Sequence, residues 1–371
     1  MVSAIKESAA AGEHLRIVGR STWLDAGRPV RAEKTLSLRD DSGVVSYVPG
    51  DLTLTVRAGT PLSEIERVTR EQNQWLPLDP YGLADGTIGA TLATASAGPL
   101  ASSFGLPRDL LLGLEFVNGR GEVVRGGGKV VKNVAGFDLS RLLTGSWGTL
   151  GVITELTLRL YARPQVDRSF MIVLAGSAKD ATAFLQTFLG SPFSPYAFEL
   201  LSPPTARALG LGTGAVCLVR FGGNNAAVDV QLKALASVGR AEEVESSKWE
   251  ELRILERGSG CVIRISGLPA SFRSVSGSIL NDPQFSFFTY INPIRGLLRL
   301  IANPQTQDAS AEESELGITP DVHPDEMVIF ETLPADVWAE VSPSVVSDSL
   351  SQGIKRAYDP HNILNPGILG D

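Results

Sequence analysis

The run GTIGATLATASAG, from Gly86 to Gly98, consists almost entirely of small or hydroxylated residues. Gly, Ala, Ser and Thr allow a backbone to approach another group closely, and they leave N–H groups and hydroxyls free to face it. Such a run is typical of a tight turn beside a buried strand, or of a loop wrapped around an anionic ligand. The rest of the sequence has to decide between these two interpretations.

Composition indicates a globular protein with a hydrophobic core. The chain has 371 residues, 43% of them hydrophobic and 20% charged, which suits about two domains. A net charge of −8 argues against a nucleic-acid surface and against adhesion to anionic lipid through a basic patch. Cys217 and Cys261 are isolated, so no zinc or iron–sulfur site built from paired cysteines is expected. Sparse cysteine is typical of the reducing cytosol.

Membrane insertion is not expected. The N-terminus lacks the apolar core of a signal peptide, and no stretch approaches the roughly 18 apolar residues of a membrane helix. Any association with a membrane would therefore come through a partner.

The pattern of predicted secondary structure changes near Pro164. Before it, short β-like runs alternate with Gly-rich turns, and Asn118-Gly119 predicts a hairpin. The segment TPLSEIERVTREQNQWLP predicts a helix capped by Thr60, with Pro61 in its first turn. The Gly-led segment GTLGVITELTLRLYARP predicts a turn that runs into a buried strand.

After Pro164 strands and helices alternate, which predicts an antiparallel sheet with helices on one face. Helices are expected at 178–189, capped by Ser177, and near 226–238, ending at Gly239. The acidic segment 303–327 is interpreted as a long surface loop, and a short helix is expected near 347–358.

Three Gly- and hydroxyl-rich segments remain in the first half: VGRST, GTIGATLATASAG and TGSWGTLGVITE. In this order they resemble the flavin domain of the vanillyl-alcohol oxidase superfamily, the type shared with p-cresol methylhydroxylase (PCMH). The segments LRIVGRSTWLDAGRPV, VVKNVAGFDLSRLLTGSWGTLGVITE and YDPHNILNPG are similar to the FAD-binding subunits of bacterial glycolate oxidases. The resemblance covers the first half of the chain and its C-terminal tail.

The resemblance implies an α+β fold with a defined order of domains. It places a two-subdomain PCMH-type FAD-binding domain at 1–164 and an α+β, ferredoxin-like cap domain at 165–330. A C-terminal segment, 331–371, is expected to pack back on the FAD-binding domain.

In such a fold small-residue turns hold the FAD pyrophosphate through backbone N–H groups, and a side chain beyond Cβ at several of these positions would collide with the cofactor. The positions implied at FAD are Gly19, Arg20, Ser21, Thr22, Gly89, Ala90, Thr94, Ser96, Arg108, Gly145, Gly148, Thr149, Gly151 and Val152. Members that attach FAD covalently through the first loop carry a His there, and this loop has none. The resemblance therefore implies non-covalent FAD, and no metal is expected.

Oxidation of a 2-hydroxy acid requires hydride transfer to the flavin, a base for the hydroxyl proton and a cation for the carboxylate. Arg pairs bidentately with carboxylate, and the candidates are Arg108, at a motif position near the flavin, and Arg264, Arg295 and Arg299, on expected strands. Lys132 and Asn133 also match the family; alternatively they belong to the start of a short helix capped by Asp138.

The base is harder to find. The sister subunit of glycolate oxidase carries an HxGDGN-type motif, which this sequence lacks. His14, His323 and His361 are far apart in sequence and are interpreted as surface residues, so a His-rich metal site is not expected.

Two functions follow from the resemblance. In the first, the chain is the FAD-binding subunit of a glycolate oxidase-type complex that oxidises a small 2-hydroxy acid, glycolate to glyoxylate or D-lactate to pyruvate. In the second, it is a non-catalytic FAD-binding accessory subunit that stabilises the complex or relays electrons. The implied partners are a larger flavin subunit and an iron–sulfur subunit. The implied location is the cytoplasm, or the periphery of the inner membrane through these partners.

Overall fold

The computed structural model describes residues 1–82, 85–128, 138–174, 178–191, 193–257, 259–272, 287–302, 326–341 and 348–370. The chain divides into two compact units, one made of Met1–Arg163 with Ala335–Asp371 and the other of Pro164–Pro334. The first unit is therefore discontinuous in sequence. Both units combine helices with sheets, which confirms the α+β class.

The described helices are numbered in chain order. They are α1 (Val2–Ala11), α2 (Leu62–Arg70), α3 (Ile88–Thr94), α4 (Ala101–Phe104), α5 (Leu139–Leu143), α6 (Ala178–Leu189), α7 (Pro203–Ala208), α8 (Asn225–Val238), α9 (Ser247–Ile254) and α10 (Ser349–Tyr358). Short 3₁₀ turns occur at Pro49–Asp51, Pro107–Asp109 and Val337–Ala339. No helix in the described part of the chain is both long and apolar enough to cross a membrane.

The strands are numbered in the same way. They are β1 (Leu15–Val18), β2 (Lys34–Ser37), β3 (Val44–Val48), β4 (Thr53–Arg57), β5 (Gln74–Trp75), β6 (Leu111–Val117), β7 (Val123–Gly127), β8 (Val152–Arg159), β9 (Tyr161–Ala162), β10 (Val166–Val173), β11 (Ala197–Leu201), β12 (Val216–Gly223), β13 (Ala241–Val244), β14 (Val262–Ser266), β15 (Phe288–Asn292), β16 (Leu297–Ile301) and β17 (Met327–Thr332).

The first unit is built on a five-stranded antiparallel sheet in the order β3-β4-β8-β6-β7. A parallel pair, β1-β2, and a small antiparallel pair, β5-β9, complete its strands. Alternating residues of β4, β6 and β8 fill the core, because side chains point to opposite faces along a strand. The predicted hairpin at Asn118-Gly119 is confirmed as the turn between β6 and β7, and β8 is the predicted buried strand.

The Gly86–Gly98 run is not one loop, so that expectation is wrong for its middle part. Residues 88–94 form α3, and the Thr87 side chain caps it by accepting the Ala90 N–H at 3.3 Å. Ile88 and Leu92 are fully buried in the core of the first unit. The small residues let this helix lie directly against its neighbours.

The predicted cap of α2 is also wrong. Pro61 stands at the N-cap position, and α2 begins at Leu62. The Thr60 hydroxyl instead donates to the Arg57 carbonyl at 2.6 Å and accepts the Gly43 N–H at 2.9 Å. Thr60 therefore links the end of β4 to the turn before β3 rather than starting the helix.

The second unit contains an eight-stranded antiparallel sheet in the order β13-β10-β12-β11-β15-β16-β14-β17. The helix at 178–189 is confirmed, and the one near 226–238 is confirmed with its end before Gly239. The proposed cap Ser177 lies outside the described residues, as does most of the acidic segment. That segment was expected to reach residue 327, but Met327 begins β17.

Candidate functional site

Loop A, residues 19–22, directly follows β1. Among the described residues, none accepts a hydrogen bond from the backbone N–H groups of these four positions. Ser21 is exposed and has a φ of 61°, in the left-handed region. Consecutive free N–H groups in a turn with a left-handed residue form a concavity that binds anions. Loop A therefore fits a phosphate group.

Loop A and α3 are in direct contact. A Cβ atom on Gly19 would lie 2.4 Å from the Thr87 hydroxyl oxygen, the atom that caps α3. The Arg20 guanidinium lies 3.9 Å from the Asp85 carboxylate, just before α3. The Thr87 side chain thus leaves room only for glycine at position 19. The predicted segments VGRST and GTIGATLATASAG are therefore in contact.

The first N–H groups of α3 are already used by the protein. Ile88 donates to the Thr60 carbonyl at 3.0 Å, Gly89 to the Ala58 carbonyl at 2.9 Å, and Ala90 to Thr87. A Cβ atom on Gly89 would lie 2.7 Å from that Ala58 oxygen. Gly89 and Ala90 therefore have no N–H group left for an anion, and α3 contributes surface rather than donors.

Two other predicted positions near α3 also have protein partners. The Thr94 hydroxyl donates to the Ala90 carbonyl at 2.8 Å. The Ser96 hydroxyl accepts the Tyr81 N–H at 3.2 Å. Both residues stay partly exposed, so their hydroxyls keep some contact with solvent.

Loop C, residues 145–149, lies against the C-terminal half of α3. The Gly145 N–H donates to the Leu92 carbonyl at 3.0 Å, and the Trp147 N–H donates to the Ala93 carbonyl at 2.8 Å. Gly145, Trp147 and Gly148 have φ values of 80°, 54° and 72°. The third predicted segment is therefore brought to the same place as the first two.

Residues 149–152, in the predicted segment TGSWGTLGVITE, anchor loop C in the protein interior. Thr149 and Val152 are buried, and the Thr149 hydroxyl donates to the Ser146 carbonyl at 2.7 Å. A Cβ atom on Gly151 would lie 2.4 Å from the Phe116 ring. At Gly19, Gly89 and Gly151 protein atoms lie where a Cβ atom would stand, so packing within the protein is enough to require a glycine at these positions.

The C-terminal tail, residues 359–370, completes the site. Asn365 accepts the Ile17 N–H at 2.7 Å and donates to the Trp147 carbonyl at 2.7 Å, so it touches both β1 and loop C. The Lys355 ammonium donates to the Thr149 carbonyl at 3.0 Å and to Asp359 at 2.8 Å. The resemblance included YDPHNILNPG and implied that this segment packs back on the FAD-binding domain, but it assigned no site role to Asn365.

A second connection joins the segment after loop A to the C-terminal part of the first unit. The Arg28 guanidinium donates to the carbonyls of Trp338, at 2.8 Å, and Val341, at 2.6 Å. It also lies over the Trp338 ring, 5.0 Å from the centroid, and burial lowers the pKa of Arg28. Trp23 and Trp147 lie with ring centroids 6.2 Å apart, which links this segment to loop C.

The remaining candidates of the first unit are Arg108, Lys132 and Asn133. Arg108 is exposed on the 3₁₀ turn Pro107–Asp109, which packs near α3, and its Nε lies 3.8 Å from Asp109. Lys132 and Asn133 lie outside the described residues. Asp138 does cap α5, as predicted, by accepting the Arg141 N–H at 3.1 Å.

The Arg candidates of the second unit have different surroundings. Arg299 is 1% exposed and pairs with Glu256, at 2.8 Å, and with Glu331, so its guanidinium is occupied by protein carboxylates. Arg264 donates to Glu331 at 2.7 Å and keeps a partly exposed side chain. Arg295 does not lie on a strand as expected, but in the turn between β15 and β16.

The buried carboxylates of this cluster have opposite pKa shifts. Burial alone would raise the pKa of Glu331, but the charges of Arg299 and Arg264 outweigh burial and hold the pKa at about 2. Burial raises the pKa of Glu256 despite the charge of Arg299. The two arginines therefore stabilise the charge of Glu331 in particular, and Glu331 in turn orients Arg264.

The two described histidines, His14 and His361, belong to no group of described residues that could hold a metal ion. His14 donates its backbone N–H to Glu33 at 2.7 Å, and its ring Nδ1 lies 3.2 Å from the same carboxylate. His361 is exposed, and His323 lies outside the described residues. In the part of the chain that the structure describes, no group of three His, Cys, Asp or Glu side chains could hold a metal.

One known family matches the part of the chain in which loop A and α3 lie. The FAD binding domain family matches residues 1–127, the part of the chain that contains loop A and α3. These residues resemble an FAD-binding domain. A dinucleotide cofactor carries an anionic pyrophosphate, which the free N–H groups of loop A suit.

Homologous proteins extend the match. Glycolate oxidase subunit GlcE of Escherichia coli is 35% identical over 241 residues, which cover 64% of this chain and 63% of that subunit. The chain thus matches less than two thirds of this relative's length. Glycolate oxidase subunit GlcD of Bacillus subtilis is 27% identical over 395 residues, covering 95% of this chain and 82% of that subunit.

A solved structure of p-cresol methylhydroxylase has the same fold. It superposes with a TM-score of 0.69 at 17% sequence identity, covering all of this chain and 86% of that one. At this identity the comparison shows the fold alone. The PCMH-type FAD-binding fold predicted from the sequence is confirmed.

Proposed function

We propose that this chain is the FAD-binding subunit of a glycolate oxidase-type complex and supports oxidation of a small 2-hydroxy acid, glycolate or D-lactate. The observation that carries the proposal is the convergence of loop A, loop C, α3 and the tail in an FAD-binding domain, with four N–H groups in loop A that no described residue accepts. The homologous glycolate oxidase subunits support the choice of substrate class.

In this proposal loop A holds the pyrophosphate without a covalent bond. Its N–H groups donate to phosphate oxygens, and the Arg20 guanidinium offsets part of their negative charge. In loop C, the Gly148 N–H donates to none of the described residues, and in this proposal it also donates to a phosphate oxygen. The chemistry that FAD supplies when bound is acceptance of the hydride from the hydroxyl-bearing carbon.

Arg264 is our candidate for binding a substrate carboxylate in the second unit. Glu331 fixes its Nε, Ser266 accepts from Nη1 at 3.2 Å, and 31% of the side chain is exposed. An oriented guanidinium with an accessible edge suits bidentate pairing with a carboxylate. Arg299 is excluded from this role because Glu256 and Glu331 already occupy it.

The partners we propose are a larger flavin subunit and an iron–sulfur subunit, with the complex in the cytoplasm or at the inner membrane through these subunits. A non-catalytic role for the chain, stabilising the complex or relaying electrons, is the second candidate. It is favoured by the lack of an HxGDGN-type run and by the placement of His14 against Glu33. In that case a partner supplies the base that removes the hydroxyl proton.

The visible spectrum of the purified chain, before and after anaerobic addition of glycolate and D-lactate, tests the proposal. Flavin bands that bleach with either acid would show a complete oxidising site in this chain. Bands that bleach only when the partner subunits are added would support the accessory role. A chain without flavin bands, even after reconstitution with FAD, would contradict both.

A further inference from the structure

Asn365 makes an unusual set of contacts for a residue near a chain end. It is 5% exposed and has a φ of 46°, which is rare for residues other than Gly. Its side-chain oxygen accepts the Ile17 N–H, its side-chain nitrogen donates to the Trp147 carbonyl, and its own N–H donates to the Leu15 carbonyl at 2.9 Å. The side-chain oxygen and nitrogen are thus directed at different parts of the site.

These bonds join two segments that are far apart in sequence. Ile17 belongs to β1, which leads directly into loop A, and Trp147 is the centre of loop C. Loop C is held on its other side by α3, through the Trp147 N–H and the Ala93 carbonyl. The Trp147 peptide units are therefore fixed between α3 and Asn365.

The neighbouring glycine depends on the same side chain. A Cβ atom on Gly148 would lie 2.8 Å from the Asn365 side-chain nitrogen, which cannot move away without losing its bond to Trp147. Loop C thus approaches the tail as closely as its backbone allows. The amide of Asn365 sets the distance between loop C and the strand that leads into loop A.

We infer that Asn365 is a positioning residue for FAD: it holds loop C in register with loop A so that both contact one pyrophosphate. The inference rests on the proposed placement of FAD at these loops. The role requires one acceptor and one donor on a short planar side chain, which Asn supplies. Asp has the same shape, but its second oxygen would face the Trp147 carbonyl and repel it.

The test compares Asn365→Asp with Asn362→Asp in the full-length chain stripped of flavin. Asn362 is a matched control, because it lies in the same tail with a φ of 49° but is exposed. At about pH 8 we expect N365D to raise the Kd for FAD about tenfold or more, because a buried carbonyl loses its donor. N362D should stay within about twofold of the original chain, since its side chain is solvated.

The pH dependence of the Kd for FAD distinguishes the loss of this hydrogen bond from a general destabilisation of the loops. Burial raises the pKa of a carboxyl group, and the carboxyl group that N365D introduces can, once protonated, again donate to Trp147 while accepting from Ile17. The Kd ratio between N365D and the original chain should therefore shrink severalfold between about pH 8 and about pH 5.5. A ratio that does not change with pH would contradict the inference, and so would FAD affinity equal to that of the original chain.

A second variant covers the case in which N365D does not fold. Asn365→Gly removes both side-chain bonds but relieves the left-handed strain. We expect it to weaken FAD binding without any recovery at low pH; unchanged affinity would overturn the inference. If Ser21→Val in loop A weakens FAD binding while N365G does not, only the role of Asn365 fails. If neither variant changes it, the proposed placement of FAD fails.

Discussion

At the scale of single residues, backbone strain is concentrated at the candidate site. Among the seven described non-glycine residues with positive φ, five lie on loop A, the end of α3, loop C and the tail: Ser21, Ala95, Trp147, Asn362 and Asn365. Each left-handed residue costs roughly 1–2 kcal/mol, so the surrounding bonds must hold it in place. This pattern is what a site organised before its ligand arrives requires.

Gly148→Ala tests whether loop C tolerates any movement. The φ of 72° strains the new side chain, and its Cβ would displace the Asn365 amide. We expect the variant to lose roughly 2 kcal/mol of unfolding free energy and to bind FAD more weakly. Urea unfolding and FAD titration measure the two effects.

Gly12→Ala is the control for strain without a collision. Gly12 has a φ of 67°, but a Cβ there meets no atom within 4 Å. We expect a loss of about 1 kcal/mol and unchanged FAD affinity. Equal effects of the two variants on FAD binding would show that the contact between Gly148 and Asn365 does not matter.

At the scale of elements, strands β14, β16 and β17 carry a buried charge cluster that bears on stability. Arg299 lies between Glu256 and Glu331, and Arg264 on β14 shares Glu331. Removing one member of a buried ion pair leaves an uncompensated charge, which costs roughly 3–5 kcal/mol. The cluster thus joins the strands on this side of the sheet and fixes the orientation of Arg264.

Glu331→Gln gives this cluster a pH signature. The folded-state pKa of Glu331, about 2, lies below its ordinary value of 4.5. Its contribution is therefore complete above pH 4.5 and is lost as the pH falls from 4.5 towards 2. The difference in unfolding free energy between the original chain and E331Q should shrink on acidification, and urea unfolding at several pH values measures it.

Glu243→Gln is the control for this prediction. Glu243 pairs with Arg168 at 2.6 Å, but both side chains are exposed, 51% and 37%. Solvent screening limits such a pair to about 1 kcal/mol or less. If E331Q destabilised the chain no more than E243Q does at neutral pH, the buried cluster would not contribute to stability as described.

At the scale of the whole molecule, the first unit is closed by the end of the chain. Leu364 is fully buried, lies in a parallel bridge with Leu15, and belongs to the core of the first unit. The residues that follow Pro334 therefore complete a domain whose other part ends at Arg163. Assembly of the candidate site depends on this long-range closure.

Leu364→Ala should show how much the packing of the C-terminal residues into the first unit contributes to its stability. Truncating a fully buried Leu leaves a cavity and costs roughly 2–5 kcal/mol. Leu350→Ala, on α10, removes the same atoms from a side chain that is 72% exposed and should cost less than about 0.5 kcal/mol. Thermal unfolding compares the two variants. Similar losses of stability would contradict the claim that the C-terminal residues stabilise the first unit by packing into its core.

Sequence reasoning located the elements that depend on local signals. Hydrophobic periodicity and Gly stops gave α6, α8, β14, β15 and β16, and the Asn118-Gly119 pair gave the hairpin. It misassigned the middle of Gly86–Gly98, because small residues are as compatible with a tightly packed helix as with a loop. The burial of Ile88 and Leu92, which decides for the helix, depends on the rest of the fold.

Long-range partners explain the other differences. The sequence indicated three segments that the fold brings together at the candidate site, but not that protein atoms fill the space beside Gly19, Gly89 and Gly151. It likewise did not show that Glu256 and Glu331 enclose Arg299, since these residues are far apart in the chain. The role of Asn365 depends on contacts with Ile17 and Trp147, which no local pattern predicts.

The most direct test of the account is the Kd for FAD of the flavin-free chain carrying Ser21→Val, with Ser21→Gly as its control. Gly adopts the φ of 61° freely and keeps loop A intact, whereas a β-branched residue is strained there by roughly 1–2 kcal/mol. We predict that S21G binds FAD within about twofold of the original chain and that S21V binds about tenfold more weakly. Equal affinity of S21V and S21G would contradict the claim that loop A holds the pyrophosphate.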